Sequence, residues 1–315
     1  MSATNMSNSP YTIRNYQPKD FDRYVLLHTE AEKLEPAGRY ISPQVIAERL
    51  GRPNYAPEQD LFIVEMDGDI IGYMDVAPEL TIGRVILDCW VQLEHRRRGL
   101  AAKLLSYAIN RAQELGAKVA HVNIMEDNVV AKSVLSKLGF SFIRRYFEFR
   151  LDMAKLHWQD IDQAVLGCRH LQRGEESKLT QIQNCAFAGT WGYNPNTVEE
   201  ITYRTNLSSF SLEDVVLTYD GDEVTGYCWT GLTSEGEAAI GERKGRIFML
   251  GADPAYRGRG VGKRVLLAGL AHLKSKGIRV AELTVDSENK AACALYRSVG
   301  FELRTSSLWY EKLLN

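Results

Sequence analysis

No stretch of this 315-residue sequence approaches the ~20 consecutive apolar residues that a membrane-spanning helix needs. Neither sign of charge dominates: 38 basic residues against 40 acidic ones leave a net charge of −2. That balance argues against nucleic-acid or membrane partners, which reward a large positive surplus. Any anionic ligand must be held locally. Cysteine is scarce, and Cys89, Cys168, Cys185, Cys228 and Cys293 are odd in number and never form a C-x-x-C pair; this pattern fits a reducing cytoplasm better than a disulfide framework. The six histidines include no H-E-x-x-H and no cluster with Cys or Asp, so no metal is expected. Residues 1–10 lack the basic region and apolar run of a signal peptide and read as a frayed polar leader. What remains, 45% hydrophobic and 25% charged, is ordinary globular composition. Its length favours two cores over one, and the expectation is a cytoplasmic monomer or homodimer.

An internal repeat organises the chain. Arg96-Arg97-Arg98-Gly99-Leu100-Ala101 answers Arg257-Gly258-Arg259-Gly260-Val261-Gly262 at an offset of 161. The same offset carries Gly116 to Gly277, Val119 to Val280, Asn128 to Asn289, Ala131 to Ala292 and Gly139-Phe140 to Gly300-Phe301. Upstream, Asp67-Gly68-Asp69 answers Asp220-Gly221-Asp222 at 153, and the shortfall falls in a polar insert over 234–245 that reads as a loop. Each half then predicts an opening strand (11–16; 167–171), a helix begun by Asp20 or Glu175, and a hairpin around the D-G-D turn (61–65 with 70–76; 215–219 with 224–230). A strand follows (84–91; 246–252), then the Arg/Gly turn, and a helix marked by Leu100, Leu104, Leu105 and Ala108, or by Val261, Val265, Leu266 and Leu270, ending at Gly116 or Gly277. Another strand (119–125; 280–285), a short helix ending at Gly139 or Gly300, and a final strand pair complete the half. The class is α/β, built twice, with a boundary near 152–165.

A strand that runs through Arg257-Gly258-Arg259-Gly260-Val261-Gly262-Lys263 into a helix presents free backbone amides and the positive helix end in one small concavity. That suits a pyrophosphate. Glycine lets the backbone approach the ligand, and Arg257, Arg259 and Lys263 can add charge-assisted hydrogen bonds. A Walker loop would need glycine at Arg257 and Ser or Thr at Arg264, so a phosphate-loop nucleotidase fits badly.

The R-x-x-G-x-G/A pattern, with Asn289, Ala292, Tyr296 and Gly300-Phe301 behind it, resembles the GCN5-related N-acetyltransferase superfamily, and both halves resemble it. The resemblance implies two tandem domains, 1–155 and 156–315. Each is implied to be a mixed, mostly antiparallel twisted sheet whose central parallel strands splay, flanked by helices. It also implies acetyl-CoA, with Leu250, Gly251, Ala252, Arg257 through Lys263, Asn289 and Ala292 around the donor and Tyr296 as the acid near sulfur. Asn289 reads equally as a helix N-cap, and Tyr296 as a buried aromatic. Leu135 stands where Tyr296 should recur, so the second half is expected to catalyse and the first to be degenerate. Arg96, Arg97, Arg98, Gly99 and Ala101 keep the first half's anion-binding parts, or else form a solvated cluster.

Within the superfamily the second half is similar to mycothiol synthases, through Asn184-Cys185-Ala186-Phe187-Ala188-Gly189, Gly226-Tyr227-Cys228-Trp229-Thr230 and Leu250-Gly251-Ala252-Asp253-Pro254. Those enzymes are implied to open the strand before the turn with a glutamate as general base. Here Arg246 stands there, and a guanidinium cannot accept a proton. Glu242, Asp286 or Glu282 could serve, water could relay the proton, or the acceptor could differ. The expected function is direct acetyl transfer to a primary amine, small molecule or peptide, with a mycothiol-type cysteinyl-amino sugar or a CoA-binding scaffold as alternatives. Trp191 and Tyr193, in a Gly/Asn/Pro-rich stretch, are candidate acceptor-binding residues; Phe187 and Cys293 read as core.

Overall fold

A computed structural model describes residues 10–34, 42–156, 161, 165–233 and 244–314. Residues 1–9 of the polar leader, residues 234–243 of the insert and the candidate base Glu242 lie outside the described residues; Lys244 and Gly245, expected in the loop, open a strand instead. Among the described residues twelve strands form one sheet: β1 (Thr12–Asn15), β2 (Leu61–Met66), β3 (Asp69–Glu79), β4 (Arg84–Val91), β5 (Val119–Met125) and β6 (Ser141–Asp152) come from the first half. The second half adds β7 (Cys168–His170), β8 (Val215–Asp220), β9 (Glu223–Thr233), β10 (Lys244–Ala252), β11 (Val280–Asp286) and β12 (Glu302–Leu313). Their order across the sheet is β1-β2-β3-β4-β5-β12-β6-β11-β10-β9-β8-β7. Among the described residues only β4–β5 and β10–β11 pair in parallel; the other neighbours are antiparallel. The mixed, mostly antiparallel architecture implied by the sequence is the one observed.

The expected final strand pair of each half is not. Each half ends in one long strand, and the two are exchanged. Strand β6 of the first half pairs along its length with β11 of the second, Val280 opposite Asp152 through Asp286 opposite Tyr146. Strand β12 of the second half pairs with β5 of the first, Ser307 opposite Met125 through Leu313 opposite Val119. The two exchanged strands pair with each other at the centre. Each inserts between neighbours, so both backbone edges are satisfied and no edge is left at the joint.

One face of the sheet carries α3 (Leu100–Glu114) and α4 (Val129–Lys137) from the first half, and α7 (Val261–Ser275) and α8 (Lys290–Val299) from the second. Helix α3 buries Leu100, Leu104, Leu105, Ala108 and Ala112, the spacing of one helical stripe, against Val76, Val85, Leu87 and Ala120. Helices α7 and α8 bury Val265, Leu266, Leu270, Cys293 and Tyr296 against Ile247, Ala281, Leu283 and Phe149. The other face carries α1 (Phe21–Leu34), α2 (Pro43–Leu50), α5 (Glu176–Phe187) and α6 (Val198–Thr205). Asp20 and Glu175 act differently from simple caps. Asp20 closes a short 3-10 turn before α1 and accepts from Gln17 N (2.9 Å), while Glu175 accepts from Gln172 N (3.1 Å). Each ties its opening strand to the first helix through an arginine, Arg14 to Asp20 (2.6 Å) and Arg169 to Glu175 (2.6 Å). Arg169 and Lys178 hold the Glu175 carboxyl down to about 2 despite its partial burial.

His28 of α1 lies 7% exposed between Tyr24 and Tyr73, with ring centroids 4.5 and 4.7 Å away. Burial lowers its pKa to about 4. The folded state thus keeps it neutral while the unfolded chain takes up a proton below about 6.5, so its contribution to stability is full above that pH and falls as pH drops toward 4. From this group alone the protein should be about 2 kcal/mol less stable at pH 5 than at pH 7. His28→Phe should flatten that difference in urea midpoints; an unchanged acid sensitivity would show that His28 titrates normally.

Candidate active site

Each half holds a fork. Strand β4 pairs with β5 only over Arg84–Ile86 and Val119–His121, and β10 with β11 only over Lys244–Ile247 and Val280–Leu283. The strands run on to Val91, Met125, Ala252 and Asp286 with no further rung between them. The forks differ in one residue. Lys244 and Arg84 stand opposite Val280 and Val119 at an offset of 160, whereas the turns beyond repeat at 161. The extra residue is the bulge: β10 shifts register against β9 between Ile247 and Met249, while β4 runs against β3 without interruption. A bulge re-aims backbone groups and is common beside active sites. Leu250, Gly251 and Ala252 are the last rungs of β10, paired with Cys228, Tyr227 and Gly226 on one edge and facing the fork on the other.

Beyond β10, the turn from Arg257 to Gly260 is exposed and leads into α7. The first intrahelical bond runs from Arg264 N to Gly260 O (3.0 Å), which leaves the amides of Val261, Gly262 and Lys263 without an acceptor in the helix. Gly258 and Gly260 hold φ of +76° and +81°. The first half keeps this path: Gly99 has φ +76°, and Arg97 adopts φ +64° where the second half has Gly258. A left-handed arginine is strained, and its side chain stands where the second half leaves backbone bare. Arg257 reaches Ala186 O (2.7 Å) and Arg96 reaches Val91 O (2.8 Å), so both guanidinia brace the turns. Arg98 lies over the Tyr11 ring and Arg259 over Tyr256, at 5.9 and 5.3 Å. Ala101 is half-buried in the first turn of α3.

Asn289 caps α8, its Oδ1 accepting from Ala292 N (3.0 Å), and Asn128 caps α4 through Ala131 N (2.9 Å). Tyr296 projects from α8 over the fork. Its ring meets Phe149 of β6 (6.3 Å) and Phe301 (5.8 Å), and Phe149 pairs with Leu283 at the last parallel rung. Burial, assisted by the nearby Cys228 and Cys293 thiols, raises the phenol's pKa well above its usual value, so it remains protonated at physiological pH. Leu135 occupies the equivalent position in the first-half core.

The opposite face of the sheet forms the floor of a central saddle between α1/α2 and α5/α6. The two helix pairs meet above it, where Tyr203 donates to Glu48 O and Asn54 to Glu200 (3.1 Å). Trp191 lies here over the first half's strands. It stacks on His121 at 5.4 Å, stands 6.0 Å from Trp309 and 6.2 Å from Tyr146, and the neighbouring Gly192 O accepts from Arg84 (2.7 Å). Tyr193 stacks on Phe187 (5.2 Å) and its hydroxyl bonds Asn184 (2.8 Å) and Asn196 (3.0 Å), which fixes the loop that carries Trp191. Glu282 is paired with Arg304 (2.8 Å), and Asp286 accepts from Glu288 N (2.9 Å) with Arg144 at 3.8 Å. Arg246 donates to Thr284 and lies 3.5 Å from Glu148, which accepts from the Thr284 hydroxyl (2.8 Å). Glu148 was not among the residues singled out from sequence.

One sheet with two forks, each followed by a turn that leads into a helix, is the architecture of an acyl-CoA-dependent transferase. The model of the Acetyltransferase (GNAT) family matches residues 24–140 and again 177–301, and the chain belongs to that family of acetyl-CoA-dependent N-acetyltransferases. Among curated proteins it is similar to the mycothiol acetyltransferase of Amycolatopsis mediterranei, 27% identical over 89% of this chain and 96% of that one. The mycothiol acetyltransferase of Thermobispora bispora is likewise 27% identical, over 94% and 97%. In fold it resembles a GCN5-related N-acetyltransferase from Sphaerobacter thermophilus, with TM-score 0.71, 20% identity and 98% and 96% of the two chains covered. A tandem GNAT protein from the clavulanic acid biosynthesis pathway gives TM-score 0.67 at 14% identity, over 97% and 99%. Among the described residues no helix is long and apolar enough to cross a membrane, and no group of three His, Cys, Asp or Glu side chains could hold a metal.

Proposed function

We propose that the second half, 156–315, transfers the acetyl group of acetyl-CoA directly to a primary amine, and that the first half, 1–155, no longer catalyses. The observation that carries this reading is the buried phenol of Tyr296 over a fork that also has the bulge and the bare Gly258 turn, none of which the first half possesses. The amides from Gly258 to Lys263 would take the pyrophosphate, and the open edge of β10 from Leu250 to Ala252 the amide-rich arm of the donor. Tyr296 would give its proton to the departing thiolate. Trp191 would wall the acceptor side, held in place by Tyr193. An acceptor of the mycothiol type is a second reading, supported by the near-full-length likeness to mycothiol acetyltransferases and weighed against by Arg246.

Thioester absorbance, followed with glucosamine, lysine, spermidine and a cysteinyl-amino sugar, tests the activity. Gly260→Val should raise the KM for acetyl-CoA by about tenfold or more, because it strains a left-handed position by about 1–2 kcal/mol and adds a side chain at the anion cradle. Gly99→Val, the same change in the first half, should leave kcat and KM within about twofold. Equal effects at both turns would contradict the division of labour.

A further inference from the structure

The exchanged strand β6 brings a first-half carboxylate to the second half's fork. Glu148 pairs in register with Thr284 of β11, one position beyond the last parallel rung, Ile247 opposite Leu283. Side chains on Arg246, Thr284 and Glu148 share the saddle face, because the residues between them, Ile247, Leu283 and Phe149, belong to the core on the other face. Tyr296 is on that other face. The fork therefore has a phenol on one side and a carboxylate on the other. Glu148 Oε1 accepts from Thr284 (2.8 Å), while Oε2 has, among the described residues, only the long 3.5 Å contact with Arg246. The carboxylate is positioned without being closed off, and its side chain keeps 21% exposure.

At the first fork the counterparts are different. The repeat places Ile86 where Arg246 stands, Asn123 where Thr284 stands, and Trp309 where Glu148 stands. Trp309 packs there with Trp191, His121 and Tyr146, so aromatic rings cover the position that holds an acid in the second fork. The alternatives beside Glu148 are more committed: Glu282 to Arg304, and Asp286 to its own turn.

Resting on the reading of the second half as the acetyltransferase, we propose that Glu148 is the base for the acceptor amine, supplied to the second site by the first half. The acceptor ammonium gives one proton to Glu148, directly or through one water, and Glu148 returns it to solvent. The neutral amine forms the C–N bond and the C–S bond breaks; the nitrogen's second proton passes to the regenerated Glu148 carboxylate, Tyr296 protonates the departing thiolate, and the phenolate regains a proton from solvent. Arg246 keeps Glu148 in place; it does not replace the base.

The charged and titratable groups around Glu148 are Arg246 on β10, Glu282 with Arg304, Tyr146 and Arg150 on its own strand, and Asp286 farther along β11. The test uses the full chain, acetyl-CoA and whichever of glucosamine, lysine, spermidine or the cysteinyl-amino sugar reacts fastest. Glu148→Gln should lower kcat/KM for the amine about 10²-fold at neutral pH, with the deficit shrinking as pH rises toward the amine's own pKa. The KM for acetyl-CoA should stay within about twofold, and Glu148→Asp should retain intermediate activity. Adding Arg246→Glu to Glu148→Gln, which puts a carboxylate back on β10, should recover at least about tenfold. A loss equal at every pH, or activity within about twofold of the parent, would overturn the assignment of Glu148 and leave the catalytic second half intact. A parent protein that consumes no acetyl-CoA with any of the amines would overturn both.

Discussion

Tyr296→Phe should lower kcat by about 10²- to 10⁴-fold while leaving the KM for acetyl-CoA nearly unchanged, the signature of a proton donor used only as the bond to sulfur breaks. The substitution removes one oxygen and keeps the ring against Phe149 and Phe301, so the core should hold its stability. The direction of the phenol's pKa adds a second expectation. Burial raises it, so the protonated form persists through pH 10, and kcat should show no alkaline fall that Tyr296→Phe abolishes. An unchanged kcat, or a phenylalanine variant that unfolds, would reduce Tyr296 to a core aromatic, the other reading open from sequence.

The second large effect concerns β12. Leu308→Pro should destabilise both halves at once. Leu308 is 4% exposed and sits where β12 is paired with β5 on one edge and β6 on the other, so proline removes a backbone donor from a central strand at a cost of about 3 kcal/mol or more. Thr12→Pro, in the edge strand β1 with its single neighbour β2, should cost much less. Hydrogen exchange is the discriminating measurement. Amides of β4 and β5 and amides of β10 and β11 should lose protection together in Leu308→Pro. If only the second half loosens, the exchanged strands do not couple the two halves.

The repeat made most local structure legible. Strand β4 occupies the predicted 84–91, β5 the predicted 119–125, and helices α3 and α7 follow the apolar stripes that announced them. The D-G-D hairpins and the glycines at 116 and 277 fall where turn chemistry requires them. The pairing of β6 and β12 was not legible. A strand's alternation records which face is buried, not which neighbour lies beside it. Because the two final strands descend from one repeat, Phe149 suits either slot: the sheet places it opposite Leu283 of the other half. The same limit concealed Glu148. Its partners Arg246 and Thr284 lie about a hundred residues or more away along the chain and in the other half, and no local motif joins them. One signal was present: at the repeat offset, Glu148 corresponds to Trp309, an exchange of charge for aromatic ring between apolar neighbours, Phe147 and Phe149 answering Leu308 and Tyr310.

The interleaved final strands also set an order of assembly. Val119 of β5 pairs with Leu313, so the first half's part of the sheet has an open flank until β12 has been made. Such distant pairings slow folding and lengthen the life of unpaired strand edges. Strand β12 is therefore the stitch that closes both halves together, and the earlier-made half cannot mature ahead of the later one.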